Sequence, residues 1–344
     1  MSRTMKALLL SGTGFEHFGL AECEAPRPQA GEVLLRMRAA GITLRDYKVV
    51  TGAYGADGQT RPLIPGGEGV GEIVELGEGV RGLEIGQRVS PLFVQGWVDV
   101  HPRRETIAGG TLGGPLLHGC YGQYLAVRAD SVVEAPEHLS DAEAATLPFA
   151  GVAAWRTIHE QGAIGHGDTV VIQGTGGIPL FALQFAKRAG ARVIVTSKSD
   201  DKLERARQLG ADHVINYANT PDWAQAVLDL TNGEGAHLVL DPGGSATIAQ
   251  SVRAVRPCGA ISVFNALGAA DIGVNLPYLL GHNLRVHGVN AGSRIAHRKA
   301  ALAMSAGKLK PVIENIVSLA EGPQAVAHAP KAEQFGKVCL QFDL

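Results

Sequence analysis

The clearest chemistry in this 344-residue sequence lies in three glycines set between an apolar strand and an amphipathic helix, V-V-I-Q-G-T-G-G-I-P-L-F-A-L-Q-F-A-K-R-A-G. Gly174 permits a tight turn with Thr175 inside it, and Gly176 lets the backbone approach a pyrophosphate. Gly177 and Ile178 then open a helix whose N–H groups and positive dipole end face the phosphates. Pro179 stands where the third glycine of G-x-G-x-x-G would stand, and in the first helical turn its missing N–H costs nothing. A literal G-x-G-x-x-G exists elsewhere, at Gly77, Gly79 and Gly82. The residues after it, V-R-G-L-E-I-G-Q-R-V, read as a turn into another strand, which offers no helix end to an anion, so this match is set aside.

The next strand decides which dinucleotide fits. About 20 residues after the glycines an NAD site places an acidic side chain on the adenine ribose. Here the chain has Ser197, with Lys198 beside it and Lys202 one turn on. A hydroxyl flanked by lysines suits a 2′-phosphate, so NADPH is the expected cofactor. NADH is the alternative if Asp200 reaches the ribose; otherwise Asp200 and Asp201 complement the dipole of the helix they open.

Strands and helices must position this turn, and their pattern divides the chain. Segments 6–10, 32–39, 70–76 and 123–127 read as short strands broken by Gly and Pro, a β-rich first region. Ser140 and Glu143 form a capping box for a helix running to about His159, with Pro148 bending or restarting it. Thereafter strands at 169–173, 192–196, 213–215, 237–240, 260–264 and 284–288 alternate with helices, two of them closed by Gly190 and Gly210 and one expected to be capped by Thr220. That alternation predicts a doubly wound parallel sheet. From about Ser293 the tail supplies a helix and a last strand near 337–342, which could complete the first region.

Composition limits the function classes. With 31 Lys and Arg against 33 Asp and Glu the net charge is −2, and no basic cluster marks a nucleic-acid or membrane partner. Hydrophobic residues at 45% suffice for full-sized cores, and no apolar run is long enough to span a bilayer. Four scattered cysteines imply neither a disulfide framework nor a zinc knuckle. A soluble cytoplasmic protein is expected.

Five motifs in order, G-I-T-L-R-D-Y-K-V-V-T-G, P-G-G-E-G-V-G-E-I-V-E-L-G-E-G-V, G-Q-R-V-S-P-L-F, L-P-F-A-G-V-A-A-W-R-T-I and V-V-I-Q-G-T-G-G, give a chain that resembles the medium-chain dehydrogenase/reductase superfamily over essentially its whole length. The likeness is to its zinc-independent, quinone-oxidoreductase-like branch. It implies an α/β fold with a GroES-like β-rich catalytic domain, residues 1–148 completed by 293–344, around a Rossmann coenzyme domain, residues 149–292, and a homodimer paired through the coenzyme domains. Where zinc-dependent members carry a cysteine, a histidine and a further ligand, this chain has Thr43, Gly67 and Phe149, and only Cys120 falls where a four-cysteine lobe would lie. Gly and Phe cannot donate to a metal, so no metal is expected. Glu68 is then read as a structural carboxylate.

The resemblance also sets the nicotinamide against backbone near Phe264 and Asn265 and near Asn290, Gly292 and Ser293, with Tyr217 near the adenosine and Lys337 near the phosphates. Without a Lewis acid, oxidation of plain alcohols loses its usual activation. Hydride transfer to a quinone or an α,β-unsaturated carbonyl still works by proximity, with a hydrogen bond and a proton for the developing oxyanion. Candidate donors for that small-molecule acceptor lie on the segment replacing the zinc-binding stretch: Thr43, Arg45, Asp46, Tyr47 and Tyr54. A zinc-free alcohol or carbonyl oxidoreductase is the second enzyme reading, and a non-catalytic NADPH-binding redox sensor the alternative of another class.

Overall fold

The computed structural model describes residues 3–54, 62–264 and 275–342. Their chain contacts divide into two units, Met1–Val152 with Ala291–Leu344, and Ala153–Asn290. Among the described residues no helix is long and apolar enough to cross a membrane.

The second unit is the doubly wound sheet that the alternation predicts. Six parallel strands lie in the spatial order His213–Asn216, Arg192–Ser197, Thr169–Gln173, Ala236–Asp241, Val255–Val263, Arg285–Gly288. Counted along the chain this is 3-2-1-4-5-6, so the strand order reverses between Thr169–Gln173 and Ala236–Asp241, and ligands in such sheets bind beyond the carboxyl ends of strands at that point. The strand Thr169–Gln173 is buried throughout, which is why it reads as an unbroken run instead of an alternation. One cap differs from expectation. The helix Trp223–Leu230 is capped by Asp222, whose side chain accepts from Gln225 N, and Thr220 and Pro221 precede it.

In the first unit the strand Glu32–Gly41 is the organising element. It pairs antiparallel with Glu68–Leu76, with Tyr124–Arg128 and with Lys337–Gln341, so the C-terminal strand joins the sheet begun by the N-terminal region. A core of Leu8, Leu35, Met37, Ile73, Tyr121, Leu340 and their neighbours fills its interior. The capping box at Ser140 forms as expected, but its helix is short, Asp141–Ala145. Pro148 then stands in a wide π-helical turn, Leu147–Gly151. The turn frees the Ala150 N–H, which donates to Glu68 Oε2 at 3.1 Å.

His297, in the helix Arg294–Gly307, is 1% exposed, and its Nδ1 has no hydrogen-bond partner among the described residues. Burial pushes its pKa down to about 3, so the fold keeps the ring neutral while the unfolded chain protonates it near 6.5. This stabilisation is present above pH 6.5 and is lost as pH falls from there towards 3, by about 1.4 kcal/mol per pH unit. Unfolding H297L between pH 7 and 4 is expected to give a shallower loss of stability than the native chain; equal slopes would remove His297 as the cause.

Candidate functional site

In the second unit the glycine turn has the conformation its residues suggest. Gly174 adopts φ +85°, which side chains rarely tolerate, and a Cβ at Gly176 would meet open space, so the backbone there is bare. The helix Gly177–Arg188 has no side-chain cap, and its first intrahelical bond is Leu180 N to Gly176 O at 3.1 Å. The N–H groups of Gly177 and Ile178 therefore precede the ladder and point outward, and Pro179 is the third helical residue. Thr175 is buried at 6% exposure. A bare turn and an uncapped helix end fit a pyrophosphate.

Ser197 ends the neighbouring strand, 6% exposed, and its Oγ accepts from Ser199 N at 3.3 Å. Lys198 is exposed and Lys202 half-buried, one turn into the helix Asp200–Gln208. Asp200 accepts from Asn216 Nδ2 at 2.8 Å in the first turn of that helix, which commits its carboxylate to the local structure. Tyr217 is exposed at 42%, its N–H on Ser197 O at 3.1 Å. Phe264 is half-buried and Asn290 exposed; Asn265 lies outside the described residues.

The sequence reading missed Asp241. It ends the strand at the reversal point and is fully buried. Its Oδ1 accepts from Gly243 N, Gly244 N and Thr247 Oγ1, and its Oδ2 from Ser251 Oγ, which itself receives Gln173 Nε2 at 2.8 Å. One carboxylate thus ties the ends of both central strands and shapes the loop after them. The sequence signal was D-P-G-G-S directly after an apolar strand.

The first unit carries a buried polar cluster around Asp46 and Glu68. Thr43 caps the helix Leu44–Val50 in a capping box, its hydroxyl donating to Asp46 Oδ2 at 2.7 Å, and Tyr121 OH donates to the same oxygen at 2.8 Å. Asp46 and Glu68 are both 0% exposed. Lys337 Nζ lies 2.5 Å from Glu68 Oε1 and donates to Ile42 O at 2.6 Å. Burial raises the Glu68 pKa, opposed by Lys337 and by the Ala150 N–H.

Lys337 is therefore a correction to the sequence reading. At 5% exposure its ammonium is committed inside the first unit, to a carboxylate and a carbonyl, and not to coenzyme phosphates. The Ser293 hydroxyl accepts from Ala296 N as the N-cap of Arg294–Gly307, which leaves its backbone unused by that bond, and Gly292 beside it is buried. Tyr47, half-buried, packs its ring on Phe15 at 5.6 Å, against the hydrophobic core.

Arg45 and Tyr54 come together instead. The guanidinium lies over the Tyr54 ring at 4.6 Å and over the Phe93 ring at 4.8 Å, and Phe93 packs on Phe149 at 4.7 Å. Its Nη1 donates to Leu112 O at 2.9 Å and its Nη2 to Thr111 Oγ1 at 2.5 Å. A Cβ at Gly67 would stand 2.8 Å from Phe93 and 3.2 Å from Arg45 Nη1. Positions 43, 67 and 149 are thus filled by a capping hydroxyl already bonded to Asp46, a bare backbone and a stacked ring. That donor set does not fit zinc, and among the described residues no group of three His, Cys, Asp or Glu side chains is arranged to hold a metal. His118, a loop histidine, accepts from Ile64 N at 3.2 Å.

Known proteins resemble this chain along its length. Residues 29–137 match the family described as alcohol dehydrogenase GroES-like domain, and residues 177–306 the family described as zinc-binding dehydrogenase. A zinc-type alcohol dehydrogenase-like protein of Schizosaccharomyces pombe is 36% identical over 338 residues, 96% of this chain and 97% of the relative. The acryloyl-coenzyme A reductase of Sulfurisphaera tokodaii is 28% identical, covering 98% of this chain and 100% of its own. The solved structure of a thermostable alcohol dehydrogenase from Pyrobaculum aerophilum superposes with a TM-score of 0.85 at 31% identity, covering 98% and 100% of the two chains.

Proposed function

From the premise that this chain belongs to the medium-chain dehydrogenase/reductase superfamily, as an oxidoreductase, we propose that it transfers hydride from NADPH to a quinone or an α,β-unsaturated carbonyl without zinc. The observation that carries this reading is the filling of positions 43, 67 and 149 by groups that cannot hold a metal, around a buried arginine. A metal would be needed to lower the pKa of an unactivated alcohol. A conjugated acceptor is already electrophilic and needs only orientation and a hydrogen bond to its oxygen.

The coenzyme supplies the hydride when bound. The protein's part begins at the turn, where the N–H groups of Gly177 and Ile178 and the bare backbone at Gly176 receive the pyrophosphate. Ser197, Lys198 and Lys202 receive the 2′-phosphate, and this supports NADPH over NADH. Asp241 holds the loop beyond the reversal point in one shape, so the nearby backbone is preorganised. The exposed edge strand Arg285–Gly288, with Val286 at 43% exposure, supports pairing of two copies as a homodimer.

Chelator-treated protein tested for NADPH and NADH oxidation against a benzoquinone, a naphthoquinone, an enone and a plain aldehyde decides among the readings. Turnover of quinone or enone with NADPH preferred is the expected result. Turnover of the aldehyde alone would favour carbonyl oxidoreduction, and coenzyme binding without consumption of any acceptor would favour a redox sensor.

A further inference from the structure

Asp241 is a buried carboxylate that the fold surrounds with neutral donors instead of a cation. It is 0% exposed, and its Oδ1 accepts from Gly243 N at 2.9 Å, Gly244 N at 3.0 Å and Thr247 Oγ1 at 2.5 Å. Its Oδ2 accepts from Ser251 Oγ at 2.5 Å. The Ser251 hydroxyl receives Gln173 Nε2, so its single proton goes to Asp241. Glycine keeps this arrangement open, because a Cβ at Gly243 would collide with Thr247 Oγ1. Among the described residues no ion pair offsets the carboxylate, and dipoles hold its charge without cancelling it.

The strand order says what lies over it. Asp241 ends Ala236–Asp241, the first strand beyond the reversal, and pairs in register with Val263, while its carbonyl accepts from Phe264 N at 3.4 Å. On the near side of the reversal, the glycine turn after Thr169–Gln173 receives the pyrophosphate and Ser197, at the end of Arg192–Ser197, the adenosine ribose. A dinucleotide spans the two halves of such a sheet. Its nicotinamide half therefore continues to the far side, over the ends of Ala236–Asp241 and Val255–Val263, where Asp241 is buried.

We propose that Asp241 biases the bound coenzyme toward its oxidised form, and so makes it a stronger hydride donor. The assignment rests on the dinucleotide reading above. Hydride loss takes one proton and two electrons from the ring to the acceptor, and changes the ring from neutral to singly positive. The phosphates carry the same charge before and after, so a fixed negative charge on the nicotinamide side tells the two forms apart by that one unit. The protein's lever on a cofactor is the charge it places near the reactive ring. Salt screens a buried charge little. Hydrogen bonds hold this one in place before the ring's charge develops.

The test is equilibrium binding, with no acceptor present. The whole protein is titrated by calorimetry with NADP⁺ and with NADPH. Native protein is expected to bind NADP⁺ more tightly; tighter binding of NADPH overturns the assignment without recourse to any variant, and this comparison carries the test if D241N does not fold. In D241N, checked for native fold by circular dichroism, NADP⁺ is expected to lose about tenfold more affinity than NADPH, the scale of one charge acting across several ångströms of protein. A purely structural role would weaken both forms alike, so an unchanged ratio also overturns the assignment. S251A keeps the charge and removes one of its donors, and is expected to preserve the ratio; a ratio that shifts as far in S251A as in D241N rules out the charge as the cause. If NADPH preference fails, the same ratio is read with NAD⁺ and NADH. Failure of the dinucleotide reading is separate: native protein then binds neither form of either coenzyme, and the assignment falls with it.

Discussion

Replacing Ser197 with aspartate is expected to reverse the coenzyme preference, with kcat/KM for NADPH falling by about a hundredfold and that for NADH rising. Ser197 sits 6% exposed at the end of Arg192–Ser197, one strand over from the glycine turn in a parallel register that pairs Gln173 with Thr196. A carboxylate there would face the 2′-phosphate, and like charges brought together cost several kcal/mol. A factor of a hundred needs only about 2.8 kcal/mol. The same carboxylate would accept hydrogen bonds from the ribose hydroxyls of NADH. Initial rates with both coenzymes, on both proteins, measure this directly. If the native enzyme already prefers NADH, the 2′-phosphate reading fails. If NADPH preference survives S197D, the lysines and not Ser197 decide it.

The second large effect lies in the buried pair Lys337 and Glu68. Removing one partner of a buried ion pair leaves an uncompensated charge and typically costs about 3–5 kcal/mol, so K337M and E68Q are each expected to lose that much at neutral pH. The deficit of K337M should depend on pH through Glu68. Burial already holds the Glu68 pKa above its ordinary value against the pull of Lys337, and without Lys337 it rises further. In K337M the folded state therefore binds a proton that the unfolded state gives up, and stability recovers as pH falls below the folded pKa. In E68Q the Lys337 ammonium is left in its buried site without the carboxylate that faced it. The double variant K337M/E68Q restores neutrality and is expected to lose less than the sum of the singles. Urea unfolding of the three variants between pH 5 and 9 checks all of this, and a pH-independent deficit in K337M, or deficits that simply add in the double variant, would refute the pairing.

These two predictions differ in how far their residues could be read in advance. Ser197 belongs to a strand-turn-helix-strand unit whose parts are adjacent in the chain, so glycine spacing and the strand-end residue already pointed to a dinucleotide. Lys337 stands 295 positions from Ile42, whose carbonyl it meets, and nothing local in F-G-K-V says where that ammonium goes. The same contrast separates Tyr47 from Tyr54. Both stand near Arg45 in sequence, but Tyr47 lies on the face of Leu44–Val50 turned to Phe15, while Tyr54, beyond the helix end, returns to the guanidinium.

Periodic burial is a local property, and so the chain's own pattern determined the parallel sheet, the bare turn at Gly174 and Gly176, the capping box at Ser140 and the loss of donor side chains at positions 43, 67 and 149. Each depends on residues within a few positions of one another, or on what a side chain can and cannot donate. Tertiary packing alone decided that Lys337 pairs with Glu68, that Asp241 ties the two central strands, and that Arg45 meets Tyr54, Phe93 and the 111–112 segment. The physical reason is that a buried charge must find its partners wherever the fold brings oxygens and aromatic faces together, and those partners come from strands and loops far apart in the chain.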